Sequence, residues 1–229
     1  MVAMAIGLFL LATVSVVFVG AKTTYLTQDA NARLQENSRF AIEFLSRQMR
    51  SAGFALINFN PLSGDLYSIP SGATFSGTPI AGVDGGVAGT DSVTVSYDSS
   101  SLRDCLGNVV AANPVVNLIR INASNQLECL GNGAVAPQAI LDDVEDLQIR
   151  YGQPIGTNYG YLTAAITPTM ANVTSVRICV LLRALGDSDK NATNQQQKYV
   201  DCLGAAQTSV DGFIRRAITT TIELRNRNS

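Results

Sequence analysis

The sequence predicts an α+β protein, one long N-terminal α-helix packed on an antiparallel β-sheet head. Three observations predict it. Residues 1–21 are mostly apolar, and no ionisable side chain occurs before Lys22. From Lys22 to Arg50 there is no Pro or Gly, and apolar residues recur at helical spacing. Beyond Gly53, apolar and polar residues alternate in short runs bounded by turn residues, which is the pattern of strands.

The helix has two halves. Residues 1–21 would reach roughly 30 Å as a helix, about one hydrocarbon core. A buried helix of a soluble protein is rarely apolar all round for this length. A cleaved signal peptide has a basic n-region and a shorter apolar stretch, and no basic residue precedes this run. Residues 1–21 therefore read as a retained membrane helix. Ala3 and Gly7, then Ala5 and Ala12, place small residues on its surface, where they let another helix approach closely. Residues 22–52 continue the helix in amphipathic form. Leu26, Ala30, Leu34, Ala41, Phe44, Leu45 and Met49 make an apolar stripe. Arg39–Glu43 and Glu43–Arg47 are spaced to pair on the other face. Gly53 is a natural stop. An anchor needs only the first half, so the stripe of the second half must pack on something, most simply the head.

Residues 53–229 form that head. Gly53–Thr90 is rich in Gly, Pro and Ser, and short strands are expected near Phe54–Asn58 and Leu66–Ile69. Ser92–Tyr97 alternates cleanly. Val115–Ile121 and Gln126–Cys129 flank Asn122–Asn125, which reads as a hairpin turn. Leu147, Ile149 and Tyr151 mark one further strand, and Val176, Ile178, Val180 and Leu182 another. Ile214, Ile218, Ile222 and Leu224 form one face of the last.

Four cysteines, Cys105, Cys129, Cys179 and Cys202, allow three pairings. Three of them stand in an acid-Cys-Leu-Gly run, after Asp104, Glu128 and Asp201. Pairs Cys105–Cys129 and Cys179–Cys202 are preferred, because each closes a local loop of similar size. Such bridges belong to an oxidising compartment, and each would stabilise the head by roughly 3 kcal/mol in the chain-entropy picture.

The absence of His excludes His-based triads, Cys–His dyads and His metal sites. A net charge of −2 argues against a partner held by its nucleic-acid backbone. Asp187–Asn191 starts like a calcium loop, but Ala192 stands where Gly is needed and Lys198 where Glu is needed. The acidic run Asp142–Asp146 reads as a solvated or capping cluster rather than a metal site. Gly82–Gly89 precedes a strand pattern and not a Lys-bearing helix, so it is no phosphate loop. No Ser-x-x-Lys occurs at Lys22, Lys190 or Lys198. Asn122, Asn172 and Asn191 open glycosylation-like triplets that read as turns. No catalytic, cofactor-binding or metal residue and no small-molecule substrate is expected.

Several stretches together resemble one family. They are Leu34–Ala41 with Phe44–Phe54, Asp91–Tyr97, Asp143–Gly152, Val176–Arg183, and the ending Arg215-Arg216 … Thr219–Arg227. These resemble the type IV pilins, and within them the PilW-like minor pilins. The resemblance implies a non-enzymatic subunit that helps prime pilus assembly and sits at or near the pilus tip. The implied partners are other minor pilins, the major pilin and a tip adhesin, with the inner membrane reached through residues 1–21 and the head in the periplasm. A type II secretion pseudopilin is the alternative of similar fold. A membrane-anchored binding module or enzyme is the alternative of another class. The family's basic leader, Gly–Phe cleavage site and early Glu are not in this sequence, and they are expected just upstream of Met1.

Overall fold

The computed structural model describes residues 2–56, 75, 77–85, 89–167, 169–185 and 197–226. Helix α1 runs unbroken over Val2–Ser51. Eleven strands follow: β1 (Ile80–Val83), β2 (Ser92–Tyr97), β3 (Val115–Ile121), β4 (Leu127–Gly131), β5 (Gln138–Leu141), β6 (Val144–Ile155), β7 (Asn158–Leu162), β8 (Ser175–Leu185), β9 (Gln197–Val200), β10 (Ala206–Ser209) and β11 (Phe213–Glu223). The stop after α1 has a clear cause. Gly53 sits at φ 71° and gives its N–H to Ser96 C=O at 2.9 Å, a left-handed turn that a side chain would strain.

The strands pair antiparallel throughout, but they divide into more than one sheet. A five-stranded sheet runs in the order β1-β2-β3-β4-β5, a four-stranded sheet in the order β11-β8-β6-β7, and β9-β10 stands apart as a hairpin. Helix α1 packs on β8, β11 and β2, so both larger sheets form its seat. The sheets meet at Asp91. Its N–H donates to Leu147 C=O at 2.7 Å, and its Oδ2 accepts the Ile149 N–H at 2.7 Å. Asp91 thus occupies the edge of β6 in the stretch that β7 does not cover. Burial pushes this carboxyl above its ordinary value of 3.8, against the pull of the N–H groups it accepts.

The expected apolar stripe of α1 is the face that meets the head. Ala30, Leu34, Ala41, Phe44, Leu45 and Met49 are buried, while Leu26 lies only half-buried at the margin. Opposite them stand Val93 and Val95 of β2 and Val176, Ile178, Val180 and Leu182 of β8, all buried, with Ile222 of β11. The polar face is less paired than its spacing allows. Arg33 bridges Asp29 at 2.9 Å, whereas Arg39–Glu43 and Glu43–Arg47 do not close among the described residues. All three of these arginines and Glu43 are exposed, where little favours holding two long side chains together. The strand expected near Leu66–Ile69 lies outside the described residues, as do residues 57 and 58 of the one expected near Phe54–Asn58, whose described part forms no strand. Residues 54–56 are irregular.

Leu45→Ala is expected to cost about 2–5 kcal/mol, since it opens a cavity between α1 and the sheets. Arg47→Ala on the exposed face should stay within about 0.5 kcal/mol. Urea unfolding of the full chain in detergent measures both.

Candidate functional site

The surface with the most to bury is the first half of α1. Val2, Met4, Ile6, Leu8, Phe9, Leu10, Leu11, Val14, Val16, Val17, Phe18 and Val19 are each more than half exposed, and the head covers none of them. At roughly 1.5–3 kcal/mol per large apolar side chain, leaving them in water costs on the order of tens of kcal/mol. That exceeds the whole stability of an ordinary domain, about 5–15 kcal/mol. The helix is long and apolar enough to cross a membrane. Its hydroxyls are already satisfied within it. Thr13 donates to Leu10 C=O and Ser15 to Leu11 C=O, each at 2.8 Å. Neither hydroxyl in this stretch needs water, which suits a hydrocarbon surrounding. Ala3, Ala5 and Ala12 are exposed, and a Cβ added at Gly7 would meet nothing within 4 Å. At about 100° per residue, Ala3 and Gly7 share one face and Ala5 and Ala12 the opposite one.

The second half of α1 is held by a polar contact as well as by apolar packing. Gln48 and Asn117 are both buried. Asn117 Nδ2 donates to Gln48 Oε1 at 3.0 Å and to the Tyr97 hydroxyl at 3.3 Å, and Asn117 Oδ1 accepts the Cys105 N–H at 3.0 Å. One side chain on β3 therefore links the helix, β2 and the first disulfide loop. Sequence reasoning missed both residues. The available signal was an amide inside the apolar stripe and another in the middle of an alternating strand.

In the structure Cys105 bonds Cys129 and Cys179 bonds Cys202. The repeated acid-Cys-Leu-Gly run has a local cause at two of its three positions. Asp104 Oδ1 accepts the N–H groups of Leu106 and Asn108, both at 2.9 Å, and Gly107 takes φ 81°. Asp201 Oδ1 accepts those of Leu203 and Ala205, at 3.0 and 2.8 Å, and Gly204 takes φ 83°. Each is the same tight turn carrying a cysteine, with the carboxylate standing in for a backbone acceptor. Asn122 makes the equivalent turn between β3 and β4, with its Oδ1 accepting from Ser124 and Gln126 and Asn125 at φ 57°. Glu128–Gly131 differs because it lies within β4. Its glycine leaves room for Asp104, whose carboxyl would stand 2.3 Å from an added Cβ.

The acidic run Asp142–Asp146 is neither a helical cap nor merely solvated. Glu145 receives Arg215 Nε at 2.6 Å and Arg183 Nη1 at 3.2 Å, and Asp143 pairs with Arg183 at 3.0 Å. Arg215 also reaches Asp211 at 2.5 Å. The Arg215 hydrogen bond holds the Asp211 carboxyl well below its ordinary value of 3.8. The network joins β6, β8 and β11, and Arg215 lies 5.4 Å from the Tyr199 ring of β9. It is structural charge pairing, and no group of three metal-ligating side chains occurs among the described residues. Asn172 lies exposed in a short 3-10 turn over Met170–Asn172. Asp187–Asn191 and Ala192 lie outside the described residues. Lys198, the would-be last position of that loop, is instead in β9.

A family model for type IV pilus-assembly protein W matches residues 108–226. Among solved structures, the chain is similar to a type IV-like pilin from Thermus thermophilus. The TM-score is 0.50 and the identity 10%, over 86% of this chain and 100% of that one. At that identity the likeness concerns the fold. No curated protein matches the chain in sequence.

Thiol titration of the denatured chain without reductant should find no free cysteine, and four after reduction. Free thiols before reduction would contradict the bridges. Because Asp211 holds its charge more tightly folded than unfolded, its contribution is complete above pH 3.8 and is lost as the pH falls through the lower folded value. Hydrogen-exchange protection of the β9–β10 hairpin and the start of β11, taken relative to the intrinsic rate at each pH, should therefore fall on acidification below pH 3.8. Asp211→Asn should flatten that step.

Proposed function

The chain belongs to the PilW family of type IV pilus-assembly proteins, and from that premise we propose that it is a minor pilin that helps prime pilus assembly. In this reading it crosses the inner membrane once through residues 1–21, presents its head to the periplasm, and ends at or near the pilus tip. The observation that carries the reading is the division of α1. Its second half is seated in the head, while its first half is bare and internally satisfied. A subunit so divided can wait in the bilayer. In a filament the same surface is covered by neighbouring helices, so extraction exchanges one apolar surrounding for another.

Ala3 with Gly7, and Ala5 with Ala12, would then be the strips along which helices of other minor pilins and the major pilin come close. The head would carry any contact to a tip adhesin. Its role is assembly and not catalysis. The residues with strained surroundings or strong pairing, Asp91, Glu145 and Arg215, are spent on joining strands.

Clean deletion of the gene should reduce surface pili and twitching together, with recovery on complementation. Gly7→Leu should still insert in the membrane but restore pili poorly. Normal piliation in the deletion strain would overturn the priming role, and a loss of protein secretion with pili intact would place the subunit in a secretion system.

A further inference from the structure

Among the described residues, the four-stranded sheet β11-β8-β6-β7 has no strand beyond β11 on one edge or beyond β7 on the other. In an antiparallel pair, residues that exchange N–H···O=C bonds alternate with residues whose backbone groups turn away. On β11 the phase is set by Leu224, whose N–H donates to Thr174 C=O at 2.9 Å. The register runs from Phe213 opposite Leu185 to Glu223 opposite Ser175. The even-numbered residues therefore bond β8, and Ala217, Thr219, Thr221 and Glu223 turn their N–H and C=O groups outward. None of these backbone groups meets a partner among the described residues. On β7 the phase is set by Pro154, which lies opposite Tyr159 and has no N–H to exchange. Tyr159 and Tyr161 therefore turn outward as well.

The molecule closes other exposed stretches of the same sheet. Asp91 fills the part of β6 that β7 leaves bare, and Asp211 Oδ1 takes the outward N–H of Phe213 at 3.1 Å. Residues 217–223 have no such plug among the described residues. They read Ala-Ile-Thr-Thr-Thr-Ile-Glu, β-prone and without the Pro, Lys or bulge that usually blocks an edge.

We propose that the β11 edge of one copy pairs antiparallel with the β7 edge of a second copy, so that the sheet continues from head to head. Strand sense permits it. Each strand of the sheet is antiparallel to the next, so β7 runs opposite to β11, and a second copy joins without being turned end over end. The faces also agree. Tyr161, Gly152, Ser175 and Glu223 stand in line across the sheet, which puts both tyrosines on the face that carries Thr219 and Thr221. Aromatic beside β-branched is a favourable cross-strand neighbour. The charges are complementary. Arg177, over the Tyr161 ring at 4.1 Å, and Glu223 of β11 are both exposed and form no ion pair among the described residues. Because the two edges are different patches, the contact is heterologous and can repeat along a series of heads. The proposal rests on the reading of the chain as an assembly subunit and adds to it that two copies meet head to head.

The test uses the full chain in detergent micelles with p-benzoylphenylalanine in place of Tyr159. Irradiation should give covalent dimers whose joined peptides map to residues 217–223 of the other copy. Thr221→Pro removes one outward N–H and no bond to β8, so it should cut the crosslinked fraction about tenfold while the thermal midpoint holds. Should that variant unfold, Glu223→Arg serves instead, with recovery expected when the probe-bearing copy carries Arg177→Glu. Absence of crosslinks, crosslinks confined to α1 or to β11 with β11, or undiminished crosslinking in both variants would overturn the joint. The deletion phenotype is independent of this result. Lost pili with no β7–β11 crosslink would leave the assembly role standing and remove only this contact.

Discussion

The structure depends on one constraint: a single unbroken helix must satisfy two different surroundings. Nothing interrupts α1 from Val2 to Ser51, so the two halves cannot fold back on each other. The head can bury only the part of the helix that lies against it, and burial begins at Ala30. The earlier half is left with an apolar surface that the head does not cover, and in water that surface favours partition into an apolar surrounding. The first half of α1 therefore asks for a hydrocarbon or protein neighbour, while the head has a core of its own.

The seat of the second half follows from the same constraint. The stripe from Ala30 to Met49 is covered by strands of two sheets, β8 and β11 of one and β2 of the other. The joint between the sheets is polar. Asp91 completes the edge of β6 with its own backbone and side chain, and its desolvation is the cost of the junction. Gln48, Asn117 and Tyr97 play the corresponding part under the helix. Apolar packing would hold α1 on the sheets in several positions along its axis, whereas a buried amide pair is satisfied in one. Helix depth is therefore set by a hydrogen bond and helix affinity by Leu34, Leu45 and Met49.

How much of this was legible in the sequence varies with the range of the cause. The helix ends, Ser92–Tyr97, and the hairpin at Asn122 come from local periodicity and turn chemistry, and they stand where periodicity puts them. The division into two sheets was not legible. Alternation tells which face of a strand is apolar, but not which strand lies beside it, and β11 pairs with β8 while β6 pairs with both β8 and β7. Cys179 and Leu181 show the same limit. They alternate with the helix-facing residues, yet both are buried, on a face where hairpin β9–β10 is bridged to β8 through Cys202. The charge cluster at Glu145 was misread for a related reason, since its partners Arg183 and Arg215 come from strands far along the chain. For the candidate site itself, the bare helix was the legible part, and the open edges of β7 and β11 needed the register.

The two halves of α1 also have to be independent in one respect. In the role proposed above, passage from bilayer to filament would change the surroundings of the first half and leave those of the second half as they are. The contacts are arranged accordingly. Every buried residue of α1 lies at or beyond Ala30, and Lys22–Asp29 is an exposed to half-buried stretch with no core contact to transmit strain. Both disulfides lie in the head, one at the loop next to Asn117 and one under the hairpin, and neither involves the helix. Covalent constraint thus stabilises the head, while the first half of α1 carries only apolar surface, small residues and self-satisfied hydroxyls. At the seat, the Gln48–Asn117 bond and the Leu45 packing oppose slippage of the helix along its axis, and among the described residues no buried side chain of α1 precedes Ala30.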